Sequence, residues 1–288
     1  MTKEQDFFNI IKETFPELSI HDFSVVGGGK LAAACLVNKN IIFKVTDSSE
    51  KALRDTEHEI YILQRIKQKL SFDVPKILYD GRINNGRWVF GETLLSGITY
   101  SKELHDSFDK ETKSNILQQV GRIMRELHSI KINDEKGIVF VGDYKNNIAM
   151  FHEFFSDDVQ KCFSDTDKKH INAICDRYEY LSIHHPVDLV LVHADMHFGN
   201  MMFDEKNKKI TGLLDFGAAH FSEPSRDMHY YYGDEAKDLL VGYGDNGDPY
   251  LSERQKFMSV INFLDTICDD VKYNKSPDEN VKKLLDII

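Results

Sequence analysis

Residues 192–203 read Val-His-Ala-Asp-Met-His-Phe-Gly-Asn-Met-Met-Phe, and residues 212–217 read Gly-Leu-Leu-Asp-Phe-Gly. A carboxylate at Asp195, an amide at Asn200 and a second carboxylate at Asp215 are the parts of a phosphoryl-transfer site. One acid accepts a hydroxyl proton, while the amide and the other acid hold magnesium against nucleotide phosphates. Asp-Phe-Gly by itself is a weak signal. Joined to His-x-Asp-x-x-x-x-Asn upstream, at 193–200, it becomes a strong one. Short apolar runs at 189–192 and 210–214 read as strands that deliver Asp195 and Asp215 into loops. Two hard oxygen donors from neighbouring loops suit magnesium, which keeps water and phosphate oxygens for its remaining positions.

The neighbours of these residues admit plainer readings. His193 and His197 flank Asp195, yet a zinc site would need a further ligand and would leave Asn200 unexplained. His193 is expected to brace the loop through the backbone, and Gly199 to supply a tight turn. Asp227, after Glu223-Pro-Ser-Arg, is expected to cap or anchor a helix starting near Met228.

Upstream, Lys44 sits inside the apolar run Ile41-Ile-Phe-Lys-Val, where an unpaired ammonium is costly. Glu59, on the following helical segment, is the expected partner. It shares a helical face with Leu63 and Ile66, which favours it over Glu57. A strand lysine paired with a helix glutamate grips α- and β-phosphates in phosphoryl transfer. Gly27, Gly28 and Gly29, followed by Lys30, join two strands ahead of Lys44. They either let backbone amides approach phosphates or simply make a flexible hairpin. The segment is neither a dinucleotide fingerprint nor a Walker loop.

Around these motifs the chain alternates in character. Apolar spacing predicts helices over 5–15 and 50–70. Three short strands lie between them, and two more follow at 76–79 and 87–91. From about residue 98 the pattern turns helical: 107–130, then 145–182 with a polar break near Ser164, then 225–288 around a Gly/Asp-rich loop at 242–249. The expected fold is α+β and bilobal, a small antiparallel β-sheet lobe (1–94) plus a larger mainly helical lobe (95–288).

Composition narrows the function classes. The chain has 288 residues, 41% hydrophobic and 29% charged, as a folded globular protein does. Its net charge of −11 disfavours nucleic acid as the partner, and suits a cationic small substrate as well as a merely solvated acidic surface. Asp234 and Glu235 are the acidic groups placed to meet such a substrate; a solvated helix face explains them equally. Four scattered cysteines without metal-ligand spacing, no signal-like N-terminus and no apolar run long enough to span a bilayer lead to a cytoplasmic, membrane-free expectation.

Taken together, the sequence resembles the aminoglycoside phosphotransferase family, relatives of choline kinases and, distantly, of protein kinases. His193–Asn200 looks like its catalytic loop and Leu214–Gly217 like its metal-binding segment. Pro224–Asp227 resembles the end of its Asp-Pro-x-x-Asp signature, with Glu223 in place of the first acid. Ile42-Phe-Lys-Val and Glu59-Ile-Tyr-Ile-Leu fit its lysine–glutamate pair, and Leu127-His-Ser-Ile the end of its long central helix. The N-terminal half looks most like the 2''-phosphotransferases. The resemblance implies a protein-kinase-like fold, two magnesium ions, and ATP or GTP bound near a connector at 92–97, so that Glu92 and Leu94 join the nucleotide-binding residues. It implies transfer of a γ-phosphate to an aminoglycoside-type hydroxyl, hence antibiotic resistance. Kinases of choline, a sugar, homoserine or a macrolide share the motif, and a nucleotide-binding scaffold without catalysis is the rival from another class. No His-Arg-Asp and no Ala-Pro-Glu is present, which argues against a protein kinase.

Overall fold

The computed structural model describes residues 3–28, 32–66, 70–83, 86–132, 134 and 137–288. The chain divides into two compact units, each discontinuous in sequence. The first comprises residues 1–101, 132–138 and 198–219; the second comprises 102–131, 139–197 and 220–288.

The first unit holds α1 (Lys3–Thr14), β1 (Phe23–Gly28), β2 (Ala32–Val37), β3 (Ile41–Thr46), α2 (Glu50–Ile66), β4 (Ile77–Arg82), β5 (Trp88–Thr93) and β6 (Ile98–Thr99), and later in the chain β8 (Met201–Asp204) and β9 (Lys209–Leu213). A five-stranded antiparallel sheet has the order β1-β2-β3-β5-β4. The β2–β3 hairpin turns through Asn38 and Lys39, both with positive φ (52° and 63°), the conformation that asparagine tolerates best. The Asn38 side chain fixes the turn by accepting from the His21 N–H at 2.8 Å and donating to the Ser19 carbonyl at 2.8 Å.

Strand alternation sorts β3 by face. Phe43 and Val45 pack with Ile11, Phe15, Cys35, Val37 and Val89 in one apolar core. Lys44 points the other way, paired across the ladder with Phe90, while Ile42 pairs with Glu92. Glu92 therefore shares a face with Lys44 and lies within β5. The connector begins after Thr93, later than the expected 92–97 start.

The second unit holds α3 (Lys102–Asp106), α4 (Lys110–His128), α5 (Tyr144–Phe154), α6 (Asp157–Gln160), α7 (Asp165–His184), β7 (Val190–Val192), β10 (His220–Ser222), α8 (Gly233–Tyr243), α9 (Leu251–Lys272) and α10 (Asp278–Leu285). Asp109 caps α4 by accepting from the Thr112 N–H. The polar break near Ser164 is the N-cap of α7, with a reciprocal capping box to Asp167. Helices α4 and α8 cross at Gly121 and Gly242. A Cβ at Gly121 would stand 2.2 Å from the Leu239 carbonyl oxygen, and one at Gly242 2.1 Å from that of Gln118. Only glycine permits so close a backbone approach. Helix α9, buried along most of its length, packs with α5 and α7 around Phe151, Tyr178, Phe257 and Ile261.

The expected helices and long strands appear close to their expected bounds, the 50–70 helix ending at Ile66 with 67–69 outside the described residues. Strands β6, β8 and β10 were not legible: each has two to four residues, too few to display an alternation. No described helix is long and apolar enough to cross a membrane.

Candidate active site

The site residues fall into two groups, one in each unit. In the second unit, β7 pairs antiparallel with β10, Val192 opposite His220, and releases the chain into the loop carrying Asp195. Ala194 in this loop has φ 65°, a strained conformation for a residue with a Cβ. The strain is held by Asp227, which is wholly buried in the single-turn 3-10 helix Pro224–Met228. Asp227 Oδ2 accepts from the His193 N–H at 3.0 Å, and Oδ1 from the Ala194 N–H at 2.6 Å. His128 Nε2 stands 2.9 Å from Asp227 Oδ2, and His128 Nδ1 2.9 Å from the Tyr243 hydroxyl. Burial pushes the Asp227 carboxyl up, but the His128 hydrogen bond, the nearby histidines and the backbone donor carry it below its ordinary value. Asp227 thus anchors the Asp195 loop, whereas the sequence leads one to expect it to cap or anchor a helix at Met228; the next helix begins only at Gly233. The acid at 223 is structural too. Its buried carboxylate accepts from the Tyr178 hydroxyl and lies 3.5 Å from the buried Arg254.

Asp195 itself is gripped from two sides. The Tyr230 hydroxyl donates to Oδ1 at 2.6 Å, and His197 Nε2 stands 3.6 Å from Oδ2. Burial would raise its pKa, but hydrogen bonds from His197 and Tyr230 and the two flanking histidines hold it well below the usual carboxylate range. These neighbours favour the ionised form of Asp195. The loop backbone is tied as well: the Tyr231 hydroxyl donates to the Met196 carbonyl at 2.6 Å, and the Asp195 N–H donates to His193 Nδ1 at 3.3 Å. His193 braces the loop as expected.

In the first unit, Lys44 Nζ lies 2.5 Å from Glu59 Oε1 and 3.5 Å from Glu92 Oε1. Glu57 is exposed, so the choice of Glu59 stands. Burial alone would lower the Lys44 pKa, but Glu59, Glu92 and Asp215 raise it far above the ordinary lysine value. Burial raises Glu59, against the pull of Lys44 and with a push from Asp215. Burial likewise raises Glu92, to about 7, opposed by Lys44 and helped by Glu59. One ammonium thus pairs with two buried carboxylates and feels the field of a third, the exposed Asp215. Glu92 Oε2 is buried with no hydrogen-bond partner among the described residues.

Asn200 and Asp215 are brought together by the β8–β9 hairpin. Met201 pairs with Leu213, and the Leu214 N–H donates to the Asn200 carbonyl at 2.8 Å. Asp215 has φ 62° at the head of a short 3-10 turn. Glu59 accepts a hydrogen bond from the Phe216 backbone, which ties α2 to this turn. An amide oxygen and a carboxylate in such a hairpin are hard donors that fit a magnesium ion.

The remaining expected residues are less engaged. Gly27 and Gly28 are exposed in β1, next to a register shift in the β1–β2 ladder; Gly29 and Lys30 lie outside the described residues. Leu94 follows β5, its N–H donating to the Asn40 carbonyl at 3.0 Å. Asp234 is mostly exposed and pairs with Lys237 at 2.8 Å, whereas Glu235 accepts from Lys102 at 3.1 Å. Sequence reasoning gave no role to Tyr230, Tyr231 or His128. The Tyr230-Tyr-Tyr run, three residues past Asp227, was the visible signal for the first two.

Residues 22–248 match the phosphotransferase enzyme family, a span that contains every residue of both groups. The chain belongs to the phosphotransferase enzyme family. Its fold is similar to that of the GDP and kanamycin complex of APH(2")-IIia, at 18% identity and TM-score 0.82, over 98% of this chain and 97% of that one. It is also similar to the gentamicin complex of APH(2")-IIa (15% identity, TM-score 0.70, 99% and 97% covered). A macrolide 2'-phosphotransferase type I has the same fold (16% identity, TM-score 0.68, 99% and 96% covered). Membership makes this chain a phosphotransferase acting on hydroxyl groups, with the protein-kinase-like α+β fold expected from its motifs.

Proposed function

We propose that this phosphotransferase moves the γ-phosphate of MgATP or MgGTP to a hydroxyl of an aminoglycoside-type antibiotic, in the cytoplasm, and so confers resistance. The observation that carries the reading is the buried Lys44–Glu59 pair beside Asp215, an ammonium held among carboxylates and available to phosphate oxygens. Relatives of the same fold were solved with GDP and with aminoglycosides bound, which supports nucleotide and acceptor alike. Residues 1–94 serve the nucleotide: Lys44 contacts phosphate, Glu59 holds Lys44, and the glycines at 27–29 with Glu92 and Leu94 border the nucleotide. Residues 95–288 serve catalysis and the acceptor.

Asp195 accepts the acceptor's proton as that oxygen bonds to the γ-phosphorus. The bond from phosphorus to the β,γ-bridging oxygen breaks, and the nucleoside diphosphate leaves with its electron pair. Asn200 and Asp215 would hold magnesium, which when bound neutralises charge on the phosphates. Asp195, its carboxyl held below the usual carboxylate range, orients the hydroxyl and takes its proton as the bond to phosphorus forms.

A second reading, phosphorylation of a macrolide, choline, a sugar or homoserine, draws on Asp234 and Glu235. Both already face lysines, which leaves less bare negative charge for a polycation. The purified protein, given MgATP or MgGTP and a panel of kanamycin, gentamicin, a macrolide, choline and homoserine, separates the two by acceptor-stimulated nucleotide consumption. Stimulation by an aminoglycoside supports the first reading, and stimulation by another acceptor alone replaces it with the second. Thermal stabilisation by MgATP with no turnover on any acceptor would leave a nucleotide-binding scaffold.

A further inference from the structure

On the reading that Asp195 takes the acceptor's proton, we propose that Tyr230 is a positioning residue for that base. Its hydroxyl, 2.6 Å from Oδ1, fixes the carboxylate plane and leaves Oδ2, which His197 Nε2 approaches to 3.6 Å, to receive the acceptor hydroxyl. Neither the catalytic-loop motif nor the Lys44 cluster includes this tyrosine.

Three observations carry it. The phenol ring is itself fixed, edge-on to His197 at 5.5 Å between centroids and against His229 at 4.0 Å. His229 is buried, its Nδ1 held 2.6 Å from the Arg226 carbonyl oxygen, so the ring beneath Tyr230 cannot turn freely. The next residue ties the same loop to the protein interior. The Tyr231 hydroxyl binds the Met196 carbonyl, and the Tyr231 carbonyl accepts from Gln255 and Ser259 of α9. Two consecutive tyrosines thus grip Asp195 and Met196 from one rigid segment.

The chemistry favours such a neutral donor. Phosphoryl transfer depends on alignment more than on strong proton abstraction. A hydroxyl on Oδ1 removes rotation of the carboxylate without adding a competing charge. It trades basicity for geometry, which this reaction tolerates.

Tyr230→Phe tests this, because it keeps the ring and deletes one O–H. Nucleotide turnover is followed with MgGTP, using kanamycin and, separately, water as the acceptor. The expected result is a kcat lower by roughly ten- to a hundredfold, with the KM for GTP within about twofold of wild type and an almost unchanged melting temperature. In an Asp195→Asn background the same substitution should cost less than about twofold more, since a positioning residue has nothing left to position. Undiminished kcat in Tyr230→Phe, beside an inactive Asp195→Asn, overturns this inference alone. Equal losses with and without the Asp195 carboxylate also overturn it, as they would mean a merely structural tyrosine. An Asp195→Asn protein as active as wild type removes the base reading and this inference with it.

Discussion

The Lys44 cluster and the Asp195 loop both hold buried carboxylates, but they balance them differently. Around Lys44, one ammonium faces Glu59, Glu92 and Asp215, and an oxygen of Glu92 is left without a hydrogen bond among the described residues. Around Asp195 and Asp227, the carboxylates are met by neutral donors: a tyrosine hydroxyl and two backbone N–H groups, with histidines beside them. The first arrangement is electrostatically strained, and a cationic ligand would relieve it. The second is complete in itself and rigid. A surplus of negative charge suits the uptake of a cation; preorganisation suits a group that must only be in the right place.

The comparison can be broken by substitution, beginning with the largest effect. Asp195→Ala should lower turnover by roughly 10²–10⁴-fold, the range of a lost general base, while nucleotide affinity measured by calorimetry stays nearly constant. A variant with wild-type turnover would end the proposed mechanism. Lys44→Ala should cost about 3–5 kcal/mol of stability in urea unfolding, because it strands buried carboxylates, and should abolish tight nucleotide binding. Glu92→Gln, by contrast, removes surplus charge. It is expected to be neutral or to stabilise by about 1 kcal/mol, and a loss above about 2 kcal/mol would mean that Glu92 is needed as an anion. Gly121→Ala should destabilise the second unit by about 2–4 kcal/mol, since α4 and α8 must part; a melting temperature equal to wild type would contradict the close crossing.

The pH dependence of stability is the most discriminating test. His229 and His105 are buried, and burial takes each to about 4 from an ordinary 6.5. The unfolded chain then binds more protons between these values, so their contribution to stability is present above about pH 6.5 and is lost as pH falls toward 4. Glu92 behaves oppositely. Its folded value of about 7 lies above the ordinary 4.5, so its contribution is present below about pH 4.5 and lost as pH rises through 7. Melting curves of Glu92→Gln and His229→Phe across pH 4–7 should therefore change slope in opposite senses, each by an amount on the order of 1–3 kcal/mol. Slopes that shift together would contradict the contrast between the two clusters.

Much of this was legible beforehand, and the reason is local. Lys44 stood out because a charge interrupts an apolar strand, and Glu59 because helical spacing puts it on the face of Leu63 and Ile66. Asp195, Asn200 and Asp215 announced themselves by chemistry and spacing. Nothing in Gly-Glu-Thr marks where a strand ends, so the sequence leaves Glu92 at the start of a connector. Its encounter with Lys44 depends on the β3–β5 register. Asp before an apparent helix usually caps or anchors it, so the local sequence of Asp227 points to a helix start. Its true partners, His128 and the backbone of His193 and Ala194, lie far away in the chain.

The amino-acid order alone determined the family and the α+β fold class, and it singled out the candidate reacting groups, since those follow from periodicity and from motifs of fixed spacing. Tertiary structure alone decided which groups hold them. Tyr230 against Asp195, Asp227 beneath Ala194 and Glu92 beside Lys44 are contacts between residues 33 to 48 positions apart. Such contacts are set by strand register and by helices packed at glycines, and no local pattern in the sequence encodes them.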